Sequence, residues 1–169
     1  RASRGTGTIS EAEFLRRSKV PSRYGVKSIG SYEPRDSALA IEVRRWCSTW
    51  PPAQPFLVLQ GAKGTGKTHL ACSVLRDVWQ RQGLVGQFWN VPVLLDRYKA
   101  SFDENAATET ETEIDRVLHA VPLLVLDDVG KEQGTSWAVS KIYRLVNGRY
   151  GEERPTVITT NVALQDDPT

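Results

Sequence analysis

The eight residues Gly61–Thr68 constrain the fold of this chain more than any other stretch. They read Gly-Ala-Lys-Gly-Thr-Gly-Lys-Thr and directly follow the apolar run 56–59. Apolar residues recur at helical spacing after Lys67, so the motif lies between a predicted strand and a predicted helix. Glycines let successive backbone N–H groups point at one anion, and the amino end of a helix adds positive potential. The motif therefore predicts a phosphate-binding loop.

The loop also predicts how a nucleotide is held. Lys67 is expected to reach the β- and γ-phosphates, and the hydroxyl of Thr68 is expected to ligate Mg²⁺. The predicted cofactors are therefore ATP or ADP with Mg²⁺. The predicted nucleotide-binding positions of this segment are Gly61, Ala62, Lys63, Gly64, Thr65, Gly66, Lys67, Thr68 and His69.

Short apolar runs alternate with helical patterns along the chain. Strands are predicted at residues 56–59, 85–90, 123–126 and 156–160. Apolar strands separated by helices are typical of a parallel sheet covered on both faces. A length of 169 residues and a charged fraction of 25% fit one α/β domain. No apolar run approaches the ~18 residues of a membrane span, so we expect no membrane association and a cytoplasmic location.

Two carboxylates follow the third predicted strand. In a parallel sheet, Asp127 and Asp128 then lie at the carboxyl edge, beside the phosphate loop. Asp127 is placed to hold Mg²⁺, directly or through water, and Asp128 to orient or deprotonate the water that attacks the γ-phosphate. Asn161 ends the fourth strand at the same edge, where it senses the γ-phosphate or caps a turn. Lys67, Asp127, Asp128 and Asn161 are thus the predicted catalytic set of an ATPase.

Charge is distributed unevenly. Residues 1–27 carry seven Arg and Lys side chains against two Glu, so we divide the chain into a basic segment and linker, 1–30, and an ATPase core, 31–169. Further along the chain are Lys131, Lys141, Arg144 and Arg149. These four residues form either a basic track for single-stranded DNA or a solvated helix face.

Four segments together resemble the AAA+ ATPases of the DnaC/DnaI helicase-loader and IstB group: Gly61–Leu70, Leu123–Gly130, Arg149-Tyr150 and Pro155–Asn161. The resemblance implies the additional-strand P-loop fold and self-association through the ATP sites. It also implies a role in DNA replication, the loading of a replicative helicase onto single-stranded DNA. Val20 and Tyr24 would line the base pocket, and Asn90 would hold the catalytic carboxylate inactive until a ligand arrives. Two alternatives stay open: a transposition ATPase with a transposase partner, and an adaptor that binds ATP without hydrolysing it.

Two departures from the pattern of the group affect these expectations. Asp128 stands where AAA+ proteins usually carry Glu, and its shorter side chain predicts slow or partner-stimulated hydrolysis. The arginine finger, the second sensor and the fifth strand of the group follow the position of Thr169. We therefore expect an AAA+ core whose C-terminal part is missing.

Overall fold

The computed structural model describes residues 9–33, 37–102, 108–130 and 136–162. Helices and strands alternate along these residues, as the sequence predicts. The helices are α1 (Glu11–Ser18), α2 (Ala38–Trp46), α3 (Lys67–Gln82), α4 (Val91–Ala100), α5 (Glu111–Ala120) and α6 (Ser136–Gly151). The strands are β1 (Phe56–Gln60), β2 (Gln87–Asn90), β3 (Leu124–Val129) and β4 (Thr156–Thr160).

The four strands form one sheet in the order β1-β4-β3-β2, and every neighbouring pair is parallel. The predicted parallel sheet is therefore confirmed. Because all strands run the same way, their carboxyl ends meet at a single edge. Four boundaries differ from the prediction: β1 ends at Gln60, β2 begins at Gln87, and β3 begins at Leu124 and continues to Val129 instead of ending before the two carboxylates.

Apolar side chains fill both faces of the sheet. Leu57 and Leu59 of β1 belong to the core on the side of α2 and α3. Leu124 and Leu126 of β3 belong to a second core together with residues of α4, α5 and α6. Burial on both faces explains why the strands read as continuous apolar runs, and it fixes the sheet edge that carries the site.

The basic amino-terminal segment is part of this packing. The ring of Phe14 in α1 stacks on Trp79 of α3 with ring centroids 4.4 Å apart, and both side chains are buried. Val20 and Ile29 join the same core. Packing therefore continues across the predicted division at residue 30, and residues 9–33 lie against the ATPase core.

The predicted basic track for DNA is wrong at two of its four positions. Lys141 is buried, and its ammonium pairs with Glu111 and Asp115 at 2.7 Å each while it lies over the ring of Tyr98. Arg149 is fully buried. Arg144 is exposed on α6, and Lys131 lies outside the described residues.

Arg149 joins α5 to β4 from inside the protein. Its guanidinium donates to the carbonyl oxygens of Leu118 and Pro155 at 2.7 Å and to the hydroxyl of Thr156 at 2.9 Å. It also reaches the carbonyl oxygen of His119 at 3.1 Å. Burial lowers the pKa of Arg149 from 12.5 to about 10, and the nearby Arg154 adds to the shift. The local sequence pattern predicts a surface position for Arg149, because its burial depends on elements that are distant in the chain.

Among the helices that the structure describes, none is long and apolar enough to cross a membrane.

Candidate nucleotide-binding site

The predicted phosphate loop connects β1 to α3 at the carboxyl edge of the sheet. The N–H group of Gly61 donates to the carbonyl oxygen of Thr160 at 3.3 Å, which ties the loop to β4. Gly64 and Gly66 have φ of 87° and 84°, a region that favours glycine, and Gly66 caps α3. A cavity of about 370 Å³ opens above the loop. Its lining residues are Arg23, Tyr24, Lys63, Gly64, Gly66, Lys67, Thr68, His69, Asp128 and Asn161.

Lys67 lies across its own loop. Its ammonium donates to the carbonyl oxygens of Gly61 and Ala62, at 2.8 Å in both cases, and the side chain is buried. The hydroxyl of Thr65 donates to the same carbonyl of Ala62 at 3.0 Å. Gly61, Ala62 and Thr65 therefore shape the loop, whereas Lys67 presents a positive charge where phosphate oxygens are expected.

Thr68 and Asp127 come together beneath the loop. The Thr68 hydroxyl donates to Oδ1 of Asp127 at 2.8 Å across 59 residues of sequence. The hydroxyl of Thr159 donates to the same Oδ1 at 2.8 Å, and it accepts a hydrogen bond from the N–H group of Asp128 at 2.9 Å. Asp127 is 5% exposed, so these two hydroxyls stabilise a buried carboxylate.

A β-bulge places Asp128 at the cavity. Leu126 pairs with Ile158 and Val129 with Thr160, so β3 has one more residue than β4 between these pairs. Asp128 takes up the irregularity with φ of 65°, in the left-handed region that Asp tolerates better than most residues. The side-chain N–H of Asn161 donates to Oδ1 of Asp128 at 3.2 Å. The structure thus brings the two predicted groups into contact through a bulge that no sequence pattern marks.

Tyr32 supports the loop from the segment that connects α1 to α2, and no sequence pattern predicts this contact. Its hydroxyl donates to the carbonyl oxygen of Thr65 at 2.6 Å. The ring lies against Gly66 so closely that a Cβ added there would be 2.5 Å from the Tyr32 ring. His69 meets the edge of the same ring, and its Nε2 lies 3.2 Å from the hydroxyl of Ser31. No sequence signal marks Tyr32, because a lone aromatic residue in a connecting segment has no periodicity.

The side of the cavity that faces the amino-terminal segment carries an aromatic ring and a cation. Tyr24 lines the cavity, and the guanidinium of Arg23 lies 4.6 Å from the centre of its ring. Val20 lies in the apolar core, and its place beside Tyr24 in a base pocket stays a prediction. Asn90 ends β2 in register with Asp127, next to Asp128. The amide of Asn161 donates to the carboxylate of Asp128, and the inhibitory role expected of Asn90 stays a prediction.

The site offers ligands that suit Mg²⁺. Thr68 and Asp127 present a hydroxyl and a carboxylate that already touch, and Mg²⁺ prefers oxygen ligands of this kind. Among the described residues, no group of three or more His, Cys, Asp or Glu side chains is arranged to hold a metal ion. Mg²⁺ usually needs only one or two protein ligands when phosphates and water supply the rest. Thr68 and Asp127 therefore fit a cation that arrives with a nucleotide.

Sequence comparison matches residues 8–167 to the family of IstB-like ATP binding proteins. The replicative helicase loader DnaC of Escherichia coli is 28% identical over 109 residues, which are 64% of this chain and 43% of that protein. A putative ATP-binding protein in an insertion sequence of Mycobacterium tuberculosis is 26% identical over 114 residues, 68% of this chain and 43% of that protein. The chain thus spans less than half the length of these curated relatives.

Structure comparison supports the same relationship. The crystal structure of the DnaC helicase loader superimposes with a TM-score of 0.73 and 29% identity, over 87% of this chain and 83% of that one. The crystal structure of DnaI gives a TM-score of 0.70 and 25% identity, over 85% of this chain and 76% of that one. With its AAA+ P-loop fold and with a sequence match over nearly its whole length, the chain belongs to the family of IstB-like ATP-binding proteins.

Proposed function

We propose that this protein hydrolyses ATP and uses the nucleotide as a switch to load a replicative DNA helicase onto single-stranded DNA. The observation that carries the hydrolytic part is the meeting of Thr68, Asp128 and Asn161 at one cavity beside Lys67, with the carboxylate of Asp127 hydrogen-bonded to Thr68. The loader part is supported by similarity to the E. coli helicase loader in sequence and to the DnaC crystal structure in fold.

Each side chain has a defined part in this proposal. Lys67 leaves the carbonyl oxygens of Gly61 and Ala62 and turns to the phosphates, while the loop N–H groups hold the remaining oxygens. Thr68 and Asp127 hold Mg²⁺, which when bound neutralises charge on the phosphates. Asp128 orients the attacking water, and Asn161 reports whether a γ-phosphate is present.

Slow turnover follows from the geometry of Asp128. Its carboxylate is one methylene shorter than that of Glu, and Asn161 donates to one of its two oxygens. The amide of Asn161 therefore competes with the attacking water for that oxygen. We propose that Asn161 shifts toward the γ-phosphate when a partner or a neighbouring subunit binds, which removes this competing hydrogen bond.

The phosphate site is tested with Lys67→Ala. Replacing Lys67 removes the cation at the loop, so we expect affinity for a fluorescent ATP analogue to fall by about 100-fold or more. A loss of this size corresponds to about 3 kcal/mol of binding free energy. Lys99→Ala is the matched control, because Lys99 is an exposed lysine on α4 that pairs with Asp96 on its own helix. Equal affinity of the Lys67→Ala variant and the control would refute the assignment of the site.

The loader role is tested by light scattering of the protein with the replicative helicase of the same organism. We expect a complex in ATP-Mg²⁺ that weakens in ADP and does not form with Lys67→Ala. Single-stranded DNA and self-association through the ATP sites are expected to strengthen the complex. A helicase that stays unbound in every nucleotide state would contradict the proposal.

A transposase is the second candidate partner. It is supported by the family match and by the relative encoded in an insertion sequence. The same scattering measurement with a transposase from an insertion sequence of the same organism separates the two candidates. Nucleotide-dependent binding to the transposase, and not to the helicase, would assign the protein to transposition.

A further inference from the structure

The bulge in β3 leaves backbone groups that the sheet ladder cannot pair, and two consecutive threonines of β4 pair them. The N–H group of Asp128 donates to the Thr159 hydroxyl at 2.9 Å, and the hydroxyl of Thr160 donates to the carbonyl oxygen of Val129 at 2.8 Å. Thr159 is 1% exposed and Thr160 is 5% exposed. Since unpaired buried polar groups are costly, these hydroxyls stabilise the bulge itself.

The hydroxyl of Thr159 has a second contact that the bulge does not require. A threonine hydroxyl has one proton to donate and accepts through its oxygen. Because the oxygen accepts from Asp128, the proton is free to point at Oδ1 of Asp127, 2.8 Å away. One hydroxyl therefore connects the backbone of Asp128 to the carboxylate of Asp127.

Asp127 is held from two sides by this arrangement. Thr68 donates to Oδ1 from the start of α3, and Thr159 donates to the same oxygen from β4. In the described part of the chain these are its two side-chain donors. Thr68 is itself a predicted ligand of Mg²⁺, so Thr159 is the contact that keeps the carboxylate oriented while Thr68 engages the ion.

We propose that Thr159 is a positioning residue for Mg²⁺, which orients the carboxylate of Asp127 through a hydroxyl that the bulge at Asp128 fixes in place. Thr159 touches neither nucleotide nor metal in this proposal, and it acts only through Asp127. The inference rests on the proposed ATP site, and it adds a residue that the loop and strand motifs do not mark. Groups that orient metal ligands typically change metal affinity by 10–100-fold when they are removed.

The test compares Thr159→Val, which keeps the shape and removes the hydroxyl, with Thr159→Ser, which keeps the hydroxyl. Affinity for a fluorescent ATP analogue is measured in EDTA and again across a Mg²⁺ titration. We expect similar affinities in EDTA, because the phosphate loop is unchanged. In Thr159→Val the Mg²⁺ concentration at half-maximal effect rises at least 10-fold, and Thr159→Ser restores it to within about 3-fold of wild type.

Thr156→Val is the matched control for the loss of a buried hydroxyl. Thr156 lies on the same strand, is fully buried and bonds Arg149 and the carbonyl oxygen of Arg154, away from the cavity. Its Mg²⁺ dependence should equal that of wild type even if its melting temperature falls. If Thr159→Val does not fold, Thr159→Cys takes its place, because a thiol fits the position but donates weakly.

The outcomes separate the inference from the function on which it rests. If wild type binds ATP with a Mg²⁺-dependent gain and Thr159→Val shows the same dependence, the role of Thr159 is refuted and the ATP site stands. A Mg²⁺ shift in Thr156→Val as large as that in Thr159→Val would also refute it, since the effect would then be general. If wild type binds no ATP in either condition, the proposed function fails first.

Discussion

Replacing Arg149 tests how the last turn of α5 is completed. Leu118 lies four residues before Pro122, which has no N–H group, so the carbonyl oxygen of Leu118 lacks the donor that a continuing helix would supply. Arg149 fills this role at 2.7 Å and also reaches the carbonyl oxygen of His119 at 3.1 Å. We predict that Arg149→Met, which keeps most of the side-chain length, destabilises the fold strongly.

The magnitude follows from which acceptors are left unpaired. The carbonyl oxygen of Pro155 keeps a hydrogen bond from Leu124, and the hydroxyl of Thr156 keeps its own bond to Arg154. The carbonyl oxygens of Leu118, His119 and Val121 lose a charged donor, and a buried acceptor without a partner costs about 1–3 kcal/mol. Removing the buried charge, whose burial lowers the pKa of Arg149, offsets part of that loss. We expect a net loss of about 3 kcal/mol of unfolding free energy.

Urea unfolding followed by circular dichroism measures this loss directly. A loss of that size corresponds to a fall of about 6–12 °C in melting temperature for a chain of this length. Arg116→Met is the control, because Arg116 is exposed on α5, the helix that Arg149 completes, and should change stability by less than about 0.5 kcal/mol. A loss below about 1 kcal/mol in Arg149→Met, with an unchanged dependence on urea, would refute the reasoning.

Three further predictions concern the site and the core. Asp128→Asn should leave ATP affinity within about 3-fold of wild type and should lower turnover by about 100-fold or more in steady-state ATPase assays. Unchanged turnover would exclude Asp128 as the base. Tyr32→Phe removes the hydrogen bond to Thr65 and should lower the free energy of unfolding by about 1 kcal/mol in urea titrations. Unchanged stability would mean that this hydrogen bond makes no net contribution to the free energy of unfolding. Burial raises the pKa of Cys47 from 9.0 to about 12 and raises that of Cys72 further, so a thiol reagent at pH 8 should label the folded protein far more slowly than the unfolded one. Because unfolded thiols ionise first, stability should also fall as pH rises above about 9, and equal labelling of both states would contradict the burial.

The elements that the sequence could predict are those with local signals. The strand before Gly61, the helix from Lys67 and the carboxylates after Leu126 each follow from a short pattern, and the parallel sheet then brings them to one edge. The contact between Thr68 and Asp127 is a consequence of this topology. Spacing and periodicity were therefore enough for the fold and for the phosphate loop.

The features that the sequence could not predict depend on contacts between distant segments. A β-bulge at Asp128 requires the register of β3 against β4, which no single strand encodes. Arg149 looks like a surface residue in the last turn of a helix, and only the approach of α5 and β4 buries it. The burial of Lys141 could not be predicted for the same reason, because its partners Glu111 and Asp115 lie on another helix.

The position of Lys67 bears on how the nucleotide is received. Its ammonium donates to the carbonyl oxygens of Gly61 and Ala62, while the hydroxyls of Thr65 and Tyr32 donate to those of Ala62 and Thr65. A loop held in shape loses little conformational freedom when phosphate arrives. In the proposed ATP site Lys67 exchanges two neutral acceptors for anionic oxygens, and charge-assisted hydrogen bonds are about twice as strong as neutral ones. The expected gain from Lys67 is therefore the difference between these two sets of bonds, while the hydrogen bonds of Thr65 and Tyr32 continue to hold the loop.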